Sequence, residues 1–261
     1  MAEEAKPKIK GVVDIVVLMD VSGSMQDCID AVKQSVSTFI SVLTSTDANN
    51  GAPIKDWRLK VVGYRDSERD ADWFVDNPFV RDVAGVQAQL SAPNMQASGG
   101  GDEPESLLDA LFKVASTSEA GIQDGEDPNL WRPRGQAARA VVFFTDATFK
   151  PVMSLPEAKG GQLPDVLTRL AGAKVILCGF HPEWHGYEAL GTADKAQLTT
   201  VASVAEFPLI AGLGKDGAEG LAAQKVAASA LAAKASDTAN FTKILEQLAK
   251  SLSKSVQVEL A

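Results

Sequence analysis

The segment Asp20-Val21-Ser22-Gly23-Ser24 sets three oxygen-bearing side chains at alternate positions of a short loop. That spacing lets all three converge on one point, and Gly23 allows a sharp turn between the two hydroxyls. An acid with two hydroxyls is a hard donor set, suited to Mg²⁺ or Mn²⁺ rather than to zinc or copper. A purely structural reading exists beside it: Asp20 ends a strand, and Ser22 or Ser24 caps the helix that follows. Two further loops favour the metal. Asp146 follows an apolar run, and Gly99-Gly100-Gly101-Asp102-Glu103-Pro104-Glu105 adds three carboxylates at the mouth of a helix. A helix N-terminus stabilises one carboxylate through its free N–H groups. Additional acids so close repel each other unless a cation sits among them.

The elements that must position these loops follow from periodicity. Val12–Met19, interrupted only by Asp14, is a Val- and Ile-rich run of the kind found in strands buried on both faces. From Gln26 to Leu43, the residues Ile29, Val32, Val36, Phe39, Ile40 and Leu43 recur at spacings of three and four, which predicts a helix with one buried stripe. Arg58–Tyr64 reads as the next strand, Trp73–Val75 as a short one, and Asp47–Pro53 as a loop. Leu107, Leu108, Leu111, Phe112 and Val114 predict a second amphipathic helix after the glycine-rich break at Ala97–Pro104. Ala140–Thr145 and Lys174–Gly179 read as buried strands flanking a helix near Pro164–Ala171, and Glu206–Ala211 as a last strand. Helices are predicted near Gly217–Ala235 and over Asn240–Ser253. Strands separated by helices imply an α/β fold with a mostly parallel sheet covered on both faces. Ligands of such folds sit beyond the carboxyl ends of the strands, where the strand order reverses. Asp20 and Asp146 both fall at such ends.

Composition narrows the function classes. The chain has 261 residues, 45% of them hydrophobic, and a formal net charge of -9. An acidic surface repels nucleic acid and anionic lipid, so neither is an expected partner, whereas a metal or a cationic ligand suits it. Cys28 and Cys178 lie far apart in sequence, outside any CxxC pair, and imply neither a disulfide framework nor a zinc ribbon. The first apolar run is too short to cross a bilayer and the residues before it lack the order of a signal peptide, so a cytoplasmic location is expected.

At the loops the pattern becomes specific. DVSGS resembles the DxSxS signature of the metal-ion-dependent adhesion site in von Willebrand factor A domains. The Asp146 loop, FFTDA, is similar to the third metal loop of that family. GGGDEPES resembles the second loop of its α-kinase-associated members and, more distantly, of integrin β subunits. The resemblance spans roughly residues 10–255. It implies a Rossmann-like doubly wound sheet with one short antiparallel edge strand, residues 1–10 as an extension and 11–261 as the domain. It also implies a metal, Mg²⁺ or alternatively Mn²⁺ or Ca²⁺, held by Asp20, Ser22, Ser24, Glu105 and Asp146, with Asp102 and Ser98 as accessory residues. Many A domains supply a Thr from the second loop; this segment has none, so Glu105 takes that place, ahead of Ser98 and Ser106. The implied function is to grip an Asp or Glu of a protein partner through the metal, with specificity from Asp66–Asp72, Asp124–Gly135 and Thr148–Gly161. A separately encoded ATPase or kinase subunit is the kind of partner such intracellular domains serve.

Other features point elsewhere and carry less. A haloacid-dehalogenase-like phosphotransferase also begins with an acid at the end of its first strand, but needs a second acid two residues on, where this chain has Ser22. No phosphate-binding loop or GxSxG motif is present, and a non-enzymatic role is expected. Gly212–Gly217 matches GxGxxG without the βαβ context that pattern needs. His181 and His185 near Cys178 suggest zinc but lack a fourth ligand, and ordinary loop packing is expected there. The run Arg65–Asp70 reads as a solvated loop, with a partner-contact role as the alternative.

Overall fold

The computed structural model describes residues 11–45, 54–101, 104–121, 126–158, 160–182, 184–190 and 199–200, together with 222–223, 226, 246 and 249–250. Its elements are β1 (Val12–Asp20), α1 (Gln26–Thr44), β2 (Asp56–Tyr64), β3 (Phe74–Asp76), α2 (Val83–Leu90), α3 (Leu107–Ser116), β4 (Ala138–Phe144), α4 (Leu163–Ala173), β5 (Val175–Phe180), α5 (His185–Leu190) and β6 (Thr199–Thr200). They form a six-stranded sheet in the order β3-β2-β1-β4-β5-β6. Every pairing is parallel except β2 with β3. This is the doubly wound, Rossmann-like α/β arrangement, with the short antiparallel strand at one edge.

Alternation along the strands sorts side chains to two cores. Val13, Ile15, Val17 and Met19 of β1 meet the stripe of α1 and Val86 and Leu90 of α2. Val16 and Leu18 face the other way, onto Leu107, Leu108 and Leu111 of α3 and Val166 and Leu170 of α4. Burial on both faces explains why the central strands read as nearly unbroken apolar runs. The strand order reverses between β1 and β4, so the crevice beyond their carboxyl ends is the topological switch point.

Several sequence expectations need correction. Helix α2 was not expected: it buries only the short apolar set Val86 and Leu90, with Val83 packed partly beside them, and it is capped by Asp82, whose carboxylate accepts from Gly85 N at 2.7 Å. The run Arg65–Asp70 is not a wholly solvated loop, because Arg65 and Asp66 are buried. The described part of the Asp124–Gly135 segment, residues 126–135, does not line the loops that carry Asp20, Glu105 and Asp146. It leads into β4 rather than out of a strand, and its described part packs at the opposite end of the sheet, where Arg58 donates to Asp127 O and Leu130 O. The short strand is Phe74–Asp76, one residue later than read. The Asp47–Pro53 loop, the Glu206–Ala211 strand and Gly212–Gly217 lie outside the described residues. So does most of the two C-terminal helices, whose few described members are helical.

Candidate functional site

Strand β1 delivers Asp20 fully buried at the switch point. One carboxylate oxygen accepts from the Ser22 N–H at 2.9 Å and the other from Thr145 Oγ1 at 2.8 Å. The first bond closes the tight turn after the strand. The second ties it to the end of β4, where Asp146 follows, also fully buried. Helix α1 starts at Met25 without a side-chain cap, and Ser22 Oγ, itself buried, makes no well-formed hydrogen bond among the described residues. The capping role that the sequence allowed for Ser22 or Ser24 is therefore not realised.

The glycine-rich loop brings the third group. Glu105 pairs with Phe149 in a short parallel bridge: its N–H donates to Thr148 O at 3.0 Å, and its carbonyl accepts from Lys150 N at 2.9 Å. This fixes the carboxylate against the loop that carries Asp146. Gly100 explains the glycine run. Its φ is +79°, and a Cβ there would lie 2.6 Å from both Glu105 Oε1 and Ser22 Cβ. Only a residue without a side chain lets the main chain pass between those two groups. Gly100 N also donates to Asp70 at 2.9 Å.

Glu105 is 1% exposed, and neither of its carboxylate oxygens has a hydrogen-bond partner among the described residues. Burial pushes its pKa well above the ordinary value, and the charges of Asp20, Asp66, Asp146 and Asp70 push it further. Burial likewise raises Asp20, opposed by Ser22, Thr145 and the Arg65 charge. The same negative field reaches neighbours that carry no acid: the buried Cys28 thiol is raised first by burial, then by Asp146 and Asp20. The Tyr64 hydroxyl, at the end of β2, is raised by burial and then by Asp20.

Of the predicted ligands, Asp20, Ser22, Glu105 and Asp146 are thus brought together and buried. Ser24 stands on the exposed outer side of the turn, and Ser98 is exposed with its main chain occupied by Val21 and Arg65. Ser106 is buried, and its hydroxyl is engaged by Ser67. Asp102 lies outside the described residues. Sequence reading placed Asp66 in a partner-contact loop and not among the ligands, yet it leaves β2 at the same edge. It is buried, its carboxylate binds Lys150 and lies 3.3 Å from Arg69, and its charge acts on Glu105. Its signal was positional, an acid two residues past a strand. Arg65 also serves the site: its guanidinium donates to the carbonyls of Ser98, Asp72, Asn94 and Gln96, tying the glycine loop to β2.

The donor set fits a hard divalent cation. Among the described residues no three His, Cys, Asp or Glu form a ready metal cage by themselves, so an ion held here would also use hydroxyl, main-chain or water oxygens. The second candidate, at His181, gathers no set of ligands among the described residues. Its Nδ1 lies 2.8 Å from Pro182 O, its ring stacks on Tyr187 at 4.0 Å, and burial lowers its pKa to about 4. His185 is exposed on α5, and Trp184 and Tyr187 pack edge-on against Phe149.

Fold and site together define a doubly wound α/β domain with an acid-and-hydroxyl cluster at its switch point. No family model matches the chain, and no curated protein matches it. Among solved structures it is similar to proximal thread matrix protein 1 from the mussel byssus, with 15% identity and a TM-score of 0.45. That match covers 74% of this chain and 45% of the mussel protein, so the chain spans less than half of its neighbour's length. Among the described residues no helix is long and apolar enough to cross a membrane.

Proposed function

We propose that the chain is a von Willebrand factor A-type domain that binds a divalent metal, Mg²⁺ in the first instance, and uses it to hold an acidic residue of a protein partner. The observation that carries this reading is Glu105: a carboxylate 1% exposed, without a hydrogen-bond partner among the described residues, beside Asp20 and within the field of Asp146 and Asp66. Acids so buried repel one another, and a cation is the simplest group that removes the repulsion. A bound divalent ion supplies a positive centre that a carboxylate from outside can ligate.

The chain's own residues do the rest. Asp20, Ser22, Glu105 and Asp146 hold the ion, with Ser24 at the rim. Thr145 and the Ser22 amide fix the Asp20 carboxylate, and the bridge to Phe149 fixes Glu105. Gly23, Gly99 and Gly101 are exposed around the site, and the side chains of Asp70 and Arg69 lie close against Gly99 and Gly101 as its rim. Glu68 and Arg69 stand exposed beside it as charged contacts. With Glu105 as a ligand the ion is more fully neutralised than it would be by hydroxyls alone, which favours a moderate grip on the partner's carboxylate.

A Mn²⁺ titration followed by electron paramagnetic resonance tests the reading, on wild type and on Asp20→Ala. One site in wild type and none in the variant is the expected result. Equal binding in both would refute the assignment.

A further inference from the structure

We infer that Tyr64 is a positioning residue of the acid cluster: its hydroxyl donates to the Glu105 carboxylate when that group holds a cation. The inference rests on the metal reading above. Tyr64 ends β2 and stands beside Asp20 in the parallel register. Both side chains follow the alternation that turns Leu18 and Val62 toward α3, so they share one face of the sheet. Glu105 lies two residues before α3, and the chain leaving β2 is tied there by the Ser67 N–H, which donates to Ser106 Oγ at 3.0 Å. Tyr64 packs in the same core as Leu107 and Phe149, and Phe149 is the bridge partner of Glu105. The fold therefore sets a phenol beneath the start of α3, where Glu105 is buried.

Tyr64 is fully buried, yet its hydroxyl makes no well-formed hydrogen bond among the described residues. Glu105 is its counterpart on the acceptor side, buried with both carboxylate oxygens unpartnered among the same residues. A buried hydroxyl left without a partner is costly, so its place in the fold calls for a reason. The neighbouring hydroxyls are already committed. Tyr187 donates to Ala147 O at 2.5 Å. Thr145, which also stands near the phenol, gives its proton to Asp20 and accepts from Ala147 N at 3.2 Å. The acids whose charge reaches Tyr64 include Asp20 and Glu105, and ionised carboxylates only accept. Asp20 has a donor on each oxygen, whereas Glu105 has none. A carboxylate that ligates a cation keeps lone pairs for a hydrogen bond, and such outer bonds orient the ligand and raise affinity.

The test pairs Mn²⁺ titration by electron paramagnetic resonance with thermal unfolding in EDTA, on the full chain as wild type and as Tyr64→Phe. The variant keeps the ring and removes the hydroxyl. Its Mn²⁺ affinity should fall by about tenfold or more, the usual loss for an outer hydrogen bond to a metal ligand. Its Tm in EDTA should equal the wild type's or exceed it, because the unpartnered hydroxyl is gone. A hydroxyl that served only the fold would give a lower Tm instead. Equal Mn²⁺ affinity in the two proteins, or a lower Tm in the variant, would overturn the inference while the metal reading stands. No Mn²⁺ site in the wild type would overturn that reading, and the inference with it.

Discussion

Asp14 and Asp20 lie on the same face of β1, near its two ends, and both are fully buried. Their neighbours differ. In the sheet register Asp14 stands between Arg58 of β2 and Arg139 of β4, whereas Asp20 stands beside Tyr64. Asp14 accepts from Arg58 at 3.0 and 2.7 Å, from Arg132 Nε at 2.7 Å and from the Arg132 N–H at 2.8 Å, so each of its oxygens is used twice. Asp20 accepts one bond on each oxygen from neutral donors, among other acids. One end of the strand balances its charge within the chain. The other holds its acids among like charges, with Asp20 and Glu105 both raised above their ordinary pKa values. A buried acid is thus a structural element or a binding site according to its neighbours, not its type.

The largest effect expected on breaking this contrast is at the balanced end. Asp14→Ala strands Arg58 and Arg132 in the interior and should destabilise the fold by about 3–5 kcal/mol in urea denaturation. The equivalent change at the other end, Asp20→Ala, should leave the metal-free fold as stable or more so. A large loss there would erase the distinction.

Next in size is the response to cation. Mg²⁺ at a hundredfold excess over its dissociation constant should stabilise the wild type by about 2.7 kcal/mol, read as a rise in Tm. Glu105→Gln should lose most of that rise. Gly100→Ala would force a side chain into a positive-φ position against Glu105 and Ser22, and should cost about 1–2 kcal/mol by the same thermal assay.

The smallest effect is the pH dependence of the metal-free protein. The Glu105 pKa is raised on folding, so the folded state holds its proton more tightly than the unfolded one. The associated stability is present below the ordinary value of 4.5 and is lost as pH rises through the folded value. Denaturation in EDTA should show stability falling above pH 4.5, by at most about 1.4 kcal/mol per pH unit for this one group. Saturating Mg²⁺ or Glu105→Gln should flatten the slope.

Much of this was legible in the residues. The stripe of α1, the apolar runs of β1, β2, β4 and β5, and the acids at the ends of β1 and β4 follow from periods of 3.6 and 2 and from local spacing, which a sequence displays directly. These determined the α/β class, the sheet's parallel character and the loops at which to look. What depends on contacts between distant residues was not legible. Asp14 looked like an interruption of a strand because Arg58 and Arg132 are remote in sequence. Arg65 and Asp66 looked solvated because the carbonyls and the Lys150 that receive them lie on other loops. The loop into β4 looked like part of the site because sequence gives a loop's composition but not the end of the sheet it crosses. Only the tertiary fold decided which charges are balanced by opposite ones and which are left among like charges, because burial and electrostatic compensation are set by neighbours in space.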